Sequence, residues 1–327
     1  MQKVKPHEFF RLDFDQMVEE GKRQEELLAI NMGELALVKK MHGFFSDTVL
    51  PLIISDDWVF EAAMRFATEY AIDCIRVLRL TGYEVYQAQQ NLMELKTEVQ
   101  EIINDAKGSG YLVPFTGRKE LEKASDFISL LKINRMSRRW KTRVSDLHSR
   151  IVDREELHVF TGLRALRDIY ESELPRIMYV VKRVIKVVDG IPRKVSDNEL
   201  QGISEDITWY SRHISSEHPL YPVFGEITSF YKIARNVGNH HQGFKWNPSE
   251  NSVILKDTNE MIEVNVTEFI QKLRYMIYLC ELGFRGILAS FCEREQGEIS
   301  KKLVLEYSKI FPSDWTGGEE GVVEFYS

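Results

Sequence analysis

Apolar residues spaced by three or four recur along most of this chain, and that 3.6-residue period leaves packed helices as its dominant way to bury a core. Trp58, Ala62, Phe66, Tyr70, Cys74 and Val77 form one such stripe, ending near Leu80. Pro51 and the Ser55-Asp56-Asp57 cluster precede it, and Ser55 or Asp56 suits an N-cap, where a short side-chain oxygen accepts an orphan backbone N–H. After Gly82, Val85, Leu92, Leu95, Val99 and Ile102 fall near heptad spacing, which predicts a long antiparallel helical hairpin in core packing. A further amphipathic pattern covers 13–45, with Phe14, Met17, Leu27 and Leu35 on its apolar side.

Gly108-Ser109-Gly110, Pro114 and Gly117 mark a loop, followed by a mixed amphipathic stretch over 119–151. Helical periodicity returns over 154–188, with Pro175 as the expected break between two helices. Gly190-Ile191-Pro192 reads as a turn, and Ser196 or Asp197 as the start of a helix carrying Ile203, Ile207, Trp209 and Tyr210. The loop 218–222 leads into a helix whose buried stripe is Ile227, Phe230, Ala234 and Val237. A single stretch reads as β: 252–256 and 261–266 flank the turn Asp257-Thr258-Asn259-Glu260. Thr267 is the expected cap of a strong helix with Phe269, Leu273, Ile277, Cys280, Phe284, Leu288 and Phe291 on its core face. The segment 314–320 reads as a loosely held tail.

The expected fold is therefore mostly α, with a short β-hairpin insert. The expected organisation is a helical domain of unknown role at 1–150, a helical bundle with the hairpin at 151–300, and a C-terminal tail at 301–327.

With 327 residues the chain is long enough for two cores. Its composition, 43% hydrophobic and 28% charged, is that of a globular protein. No leader-like apolar segment opens it, and no charge-free apolar run of membrane length is visible, so the expectation is a cytoplasmic protein without membrane contact. Cys74, Cys280 and Cys292 are isolated and read as buried thiols, not as a disulfide frame or zinc site. A net charge of −7 means that any nucleic-acid contact is local.

One run carries chemistry: Ala234-Arg235-Asn236-Val237-Gly238-Asn239-His240-His241. Arg235 offers a planar fork of donors that matches a phosphate. His240 titrates near neutrality and can take or give a proton. Gly238 is expected to end or turn the helix, with Asn239 tolerating a left-handed conformation, so that His240 folds back towards Arg235. An RNA 2′-hydroxyl must lose a proton as it attacks the neighbouring phosphorus, and the 5′-oxygen must gain one as it leaves. His240 can serve either need, and Arg235 can stabilise the charged transition state. No metal or other cofactor is called for, because the nucleophile belongs to the substrate. The alternative is a helix terminus whose polar residues only cap and solvate it.

The motif and the elements after it resemble the HEPN family, the helical nucleotide-binding domains of higher eukaryotes and prokaryotes. The family hallmark is Arg, a polar residue that is often Asn, a short spacer and His; here these are Arg235, Asn236, three residues and His240. In many members a β-hairpin and a long closing helix follow, as 244–266 and 267–294 do here. The resemblance covers the second half of the chain. It implies a bundle that forms a homodimer in which both motifs meet. It implies RNA as substrate, tRNA among the candidates, and an antitoxin or defence-system partner. Many members are ribonucleases of toxin–antitoxin or anti-phage systems, and others bind RNA or partners without catalysis. The residue after the His is usually Gly; here it is His241, and the nearest glycine is Gly243.

Other residues admit two readings. His240 and His241 as metal ligands are disfavoured, because adjacent residues seldom point at one ion and no Cys or carboxylate cluster flanks them. Tyr231, one turn before Arg235, either supports the site or sits on the surface, the simpler reading. Lys132, Arg135, Arg138, Arg139, Lys141, Arg143, Arg150 and Arg154 are opposed over their span only by Asp146 and Asp153. With Trp140 interleaved, Arg135, Arg138, Arg139, Lys141 and Arg143 form either an RNA-binding surface with one stacking ring or a solvated helix face. His148, His158, His213 and His218 read as surface or internally satisfied residues.

The function expected from the sequence is a metal-independent endoribonuclease using Arg235, Asn236 and His240, supported by His241, Asn239 and Tyr231. The alternative is a non-catalytic HEPN-type RNA-binding, scaffold or sensor subunit.

Overall fold

The computed structural model describes residues 2–3, 5–10, 39–40, 42–108, 137–218, 221, 227–240, 243–247, 250–257, 260–310 and 323–324. The readings of 11–38, of the loop after Gly108, of Arg135, of His241 and of the tail 314–320 lie outside these residues, as do the side chains of Arg138, Arg139, Trp140, Lys141, Arg143 and His148. The described chain is mostly helical, with a small antiparallel sheet, as the periodicity predicts. The helices are α1 (Pro6–Phe10), α2 (Leu50–Ser55), α3 (Asp57–Glu69), α4 (Ala71–Gly108), α5 (Ser137–Asp168), α6 (Leu174–Val188), α7 (Ile203–His213), α8 (Lys232–His240), α9 (Val266–Arg294) and α10 (Glu298–Ile310). Strands β1 (Gln2–Lys3) and β5 (Val323–Glu324) form a short parallel pair. Strands β2 (Phe244–Asn247), β3 (Ser252–Asp257) and β4 (Glu260–Asn265) form an antiparallel sheet in that order.

Local chemistry explains where elements start. Asp56 caps α3, its Oδ1 accepting the N–H groups of Trp58 and Val59 at 2.9 and 3.0 Å. The α9 cap is Asn265, not Thr267: its Oδ1 accepts the Thr267 N–H at 2.9 Å, two residues earlier than the hydroxyl suggested. The hairpin β3–β4 runs in the expected register, from Ser252 opposite Asn265 to Asp257 opposite Glu260. Strand β2 adds a third member that its four residues were too short to announce.

Several expected breaks are absent or displaced. A lone glycine in a helix costs only about 1 kcal/mol, so a long packed helix runs through it. Thus α4 continues past Gly82, and the break falls at Tyr70 instead of forming a hairpin. Pro175 does lie at the junction expected between two helices, α5 and α6, although a π turn joins them. It sits in the first turn of α6, directly after a π-helical turn, Ile169–Glu173, whose wider ring accommodates a residue lacking an N–H. Pro51 occupies the same place in α2, after the π turn Phe45–Val49. Ser196 and Asp197 lie in a 3-10 turn, Val195–Asn198, and the α-helix begins only at Ile203.

The chain divides into two compact units, each built from separated segments. Unit 1 comprises Met1–Leu80, Leu166–Arg235 and Gln271–Ser327. Within it α6 packs on α3 and α7. Phe66 stacks on Phe284 at 5.1 Å and Phe60 on Phe291 at 5.6 Å, tying α3 to α9. Helix α9 is long and apolar enough to cross a membrane by length and composition, which the reading of apolar runs missed; it is mostly buried. In unit 1 it places Leu273, Cys280, Phe284, Leu288 and Phe291 of the predicted stripe in the core, with Ile277 only half-buried. Unit 1 also buries charge: Lys186 meets Asp197 at 2.6 Å, and Lys182 meets Asp206 at 3.4 Å and Gln201. Arg183 donates to the Trp58 carbonyl at 2.6 Å and to Tyr179 and Asn198.

Unit 2 comprises Thr81–Ala165 and Asn236–Ile270. Val85, Leu92, Leu95 and Ile102 of α4 are buried, as the heptad spacing predicts, as are Leu147, Ile151, Val159 and Leu163 of α5. The sheet contributes Val253, Leu255 and Val264. Gly162 leaves room for the Phe269 ring, which would lie 2.6 Å from a Cβ at that position.

Candidate functional site

The motif lies on α8, which follows a third π turn, Ile227–Tyr231. Helix α8 runs unbroken through Gly238 to His240, so the expected fold-back of His240 onto Arg235 does not occur. At 3.6 residues per turn, positions 235 and 240 are about 140° apart around the axis, while 236 and 240 are only about 40° apart. The helix thus places position 240 on the face of Asn236. The buried stripe predicted for this segment is present in Phe230, Ala234 and Val237, joined by Ile233.

The division between the units falls between Arg235 and Asn236. In unit 1, Arg235 is half-buried and donates through Nε to Oε1 of Glu171 at 2.7 Å. Glu171 belongs to the π turn before Pro175. Its neighbour Tyr170 is fully buried; burial pushes its phenol up, and the nearby Arg235 charge works in the opposite direction. Tyr231 corrects the reading of a surface residue: it is buried, and its hydroxyl donates to the Lys272 carbonyl at 2.7 Å. The π turn adds a residue to the helical register there, so Phe230 and Tyr231 both face inward.

In unit 2, Asn236 donates through Nδ2 to Oδ2 of Asp257 at 2.6 Å. Asp257, read from sequence as a turn residue, ends β3 and pairs with Glu260. Gly243 has a structural task in the same unit. The Gly243 carbonyl accepts the Lys256 N–H at 2.8 Å. A Cβ at 243 would overlap the Lys256 carbonyl oxygen, so the close approach admits glycine alone.

Sequence reasoning missed Glu171 and Asp257. They lie 64 and 21 residues from their partners, and no local pattern marks either. The side chains of Asn239 and His240 lie outside the described residues. At the end of the basic span, Arg150 and Arg154 are exposed on α5, Arg150 lying 4.0 Å from Asp146. Among the other histidines, His158 is buried, His213 stacks on Trp209 at 4.4 Å, and His218 lies against Phe44 with burial lowering its imidazole. Among the described residues, no group of three or more His, Cys, Asp or Glu side chains is placed to hold a metal.

No protein-family model, curated protein or solved structure matches this chain.

Proposed function

We propose that this chain is a metal-independent endoribonuclease of a toxin or anti-phage defence system. One observation carries the reading. Two of the three motif residues are fixed from outside their own helix by carboxylates, Arg235 by Glu171 and Asn236 by Asp257. Residues that only cap and solvate a helix end need no such distant partners. Charge-assisted bonds of this kind hold a side chain in one orientation and keep it poised before a phosphate arrives.

In the proposed reaction Arg235 binds the scissile phosphate and stabilises charge on its oxygens in the transition state. His240 takes the proton of the 2′-hydroxyl or gives one to the departing 5′-oxygen. The 2′-oxygen forms a bond to phosphorus as the 5′-oxygen leaves, giving a 2′,3′-cyclic phosphate and a 5′-hydroxyl end. Asn236, held by Asp257, orients the reacting groups. The angular separation of positions 235 and 240 supports a homodimer, in which a second copy supplies the group that one helix does not aim at the same phosphate.

The test is purified protein with total RNA, with and without EDTA. Cleavage that survives chelation and leaves cyclic phosphate ends is expected, with DNA of the same sequence untouched. Loss of activity in chelator with rescue by a divalent ion overturns the mechanism. Mixed dimers of Arg235→Ala with His240→Ala should regain activity if one intact residue from each chain completes a site. The second reading, a non-catalytic RNA-binding or scaffold subunit, is favoured by the compensation of Arg235 by Glu171, and RNA bound but never cut would establish it.

A further inference from the structure

The ion pair on Arg235 is one of the half-exposed pairs of unit 1, like Arg167–Asp168 at 2.6 Å, and differs from the buried ones. Lys186 and Asp197 have side chains 2% and 3% exposed, so their pairing is sealed into the core. Arg235 and Glu171 are 24% and 38% exposed at a separation of 2.7 Å. Their pair is as short as a buried one, yet both groups reach solvent. A carboxylate and a phosphate compete for the same donors of a guanidinium. An anion arriving from solution can therefore replace Glu171 without opening any apolar core.

The placement of Glu171 has a local cause. The π turn Ile169–Glu173 adds one residue to the helical register. Residues two apart point to opposite sides of a helical turn, so its two carboxylates meet opposite environments. Glu173 is buried, with Arg176 at 3.1 Å, and Glu171 is held out on Arg235. Fully buried Tyr170 anchors the turn beneath it.

We propose that Glu171 is a resident counter-ion on Arg235 that an RNA phosphodiester displaces. The inference rests on the nuclease reading for the identity of the incoming anion. In this arrangement small anions at low concentration do not win Arg235 from a tethered carboxylate. A polyanion does, because its other phosphates add attraction at no further cost in tethering. Glu171 thus raises the threshold for occupying the site and discriminates in favour of nucleic acid.

The test is binding of a fluorescein-labelled 2′-O-methyl RNA dodecamer, which lacks the attacking hydroxyl, followed by anisotropy at fixed ionic strength. Glu171→Gln should bind about five-fold tighter than the unmodified chain. Glu171→Ala should shift in the same direction, so that a failure of one variant to fold does not decide the matter. Asp168→Asn removes the same charge from the neighbouring turn, where it pairs with Arg167, and should change affinity less than about two-fold. The double variant Glu171→Gln with Arg235→Ala should lose the gain. Unchanged or weaker binding by Glu171→Gln, an equal gain in Asp168→Asn, a gain that persists without Arg235, or no binding by any variant would each overturn the proposal. Cleavage of unmodified RNA is scored separately. A binding gain without cleavage in any variant overturns the nuclease reading and leaves the counter-ion in place.

Discussion

Among the described residues, the two units dispose of charge in different ways. Unit 1 buries Glu173, Lys182, Arg183, Lys186, Asp197 and Asp206, and three of the six, Lys182, Arg183 and Lys186, lie on one helix, α6. Unit 2 buries no carboxylate, lysine or arginine among its described residues. Its pair Lys96–Glu155, at 2.8 Å, keeps the lysine side chain 36% exposed. Buried pairs are sensitive to the loss of either member, because the survivor is left charged in a poor solvent. Exposed pairs are not. Unit 1 therefore depends on specific partners, whereas unit 2 depends on alternation, register and close backbone approach.

The largest effect we expect concerns the helix whose two ends belong to the two units. Arg235→Ala and His240→Ala should each lower RNA cleavage by about 10³-fold without shifting the melting temperature. His241→Ala should cost far less. If Arg235→Ala abolishes cleavage while substitutions at Asn236 and His240 leave it intact, the chemistry belongs to the unit 1 segment alone and the comparison breaks.

Lys186→Ala should destabilise unit 1 by about 4 kcal/mol, because it strands Asp197 in the core. Lys96→Ala in unit 2 should cost less than about 1 kcal/mol. Equal losses in urea denaturation would remove the distinction between the units. Gly243→Ala tests the other kind of dependence and should cost about 3 kcal/mol by forcing β2 away from Lys256. A neutral outcome there would mean that the sheet yields more readily than its register implies.

The smallest effect is a pH dependence. Burial pushes the Asp206 carboxyl up to about 6, against the opposing pull of Lys182. A carboxyl whose folded pKa is raised binds its proton more tightly in the folded state. Its stabilising contribution is therefore fully present below its unfolded pKa and is lost as pH rises through about 6. Relative to Asp206→Asn, the unmodified chain should gain about 1 kcal/mol between pH 7 and pH 5. A flat difference between the two proteins over that interval would show that Lys182 fully compensates the buried charge.

What could be read from the sequence follows the same division. The stripe of α3, the heptad spacing in α4, the core face of α9 and the β3–β4 hairpin were legible, because each is a periodic burial pattern within one segment. The charges of α6 were not, since Lys182 and Lys186 follow the spacing of a solvated face and only Asp206 and Asp197, distant in sequence, reveal them as buried. The π turns escaped because one extra residue changes the phase of a helix without any distinctive composition. Tyr231 was misplaced for that reason. In the motif, the residue types were legible but their restraint was not, since Glu171 and Asp257 are joined to it only through tertiary structure.

The three cysteines draw a consequence from this architecture. Cys74, Cys280 and Cys292 are the chain's whole complement, and every one is buried within unit 1. Burial pushes their thiols up, that of Cys292 to about 12, so the nucleophilic thiolate is scarce while the unit stays closed. Alkylation of the native chain then proceeds only as fast as unit 1 opens, and unit 2 is silent in such an experiment. The chain carries its own clock for the breathing of one half, readable by mass without a substitution.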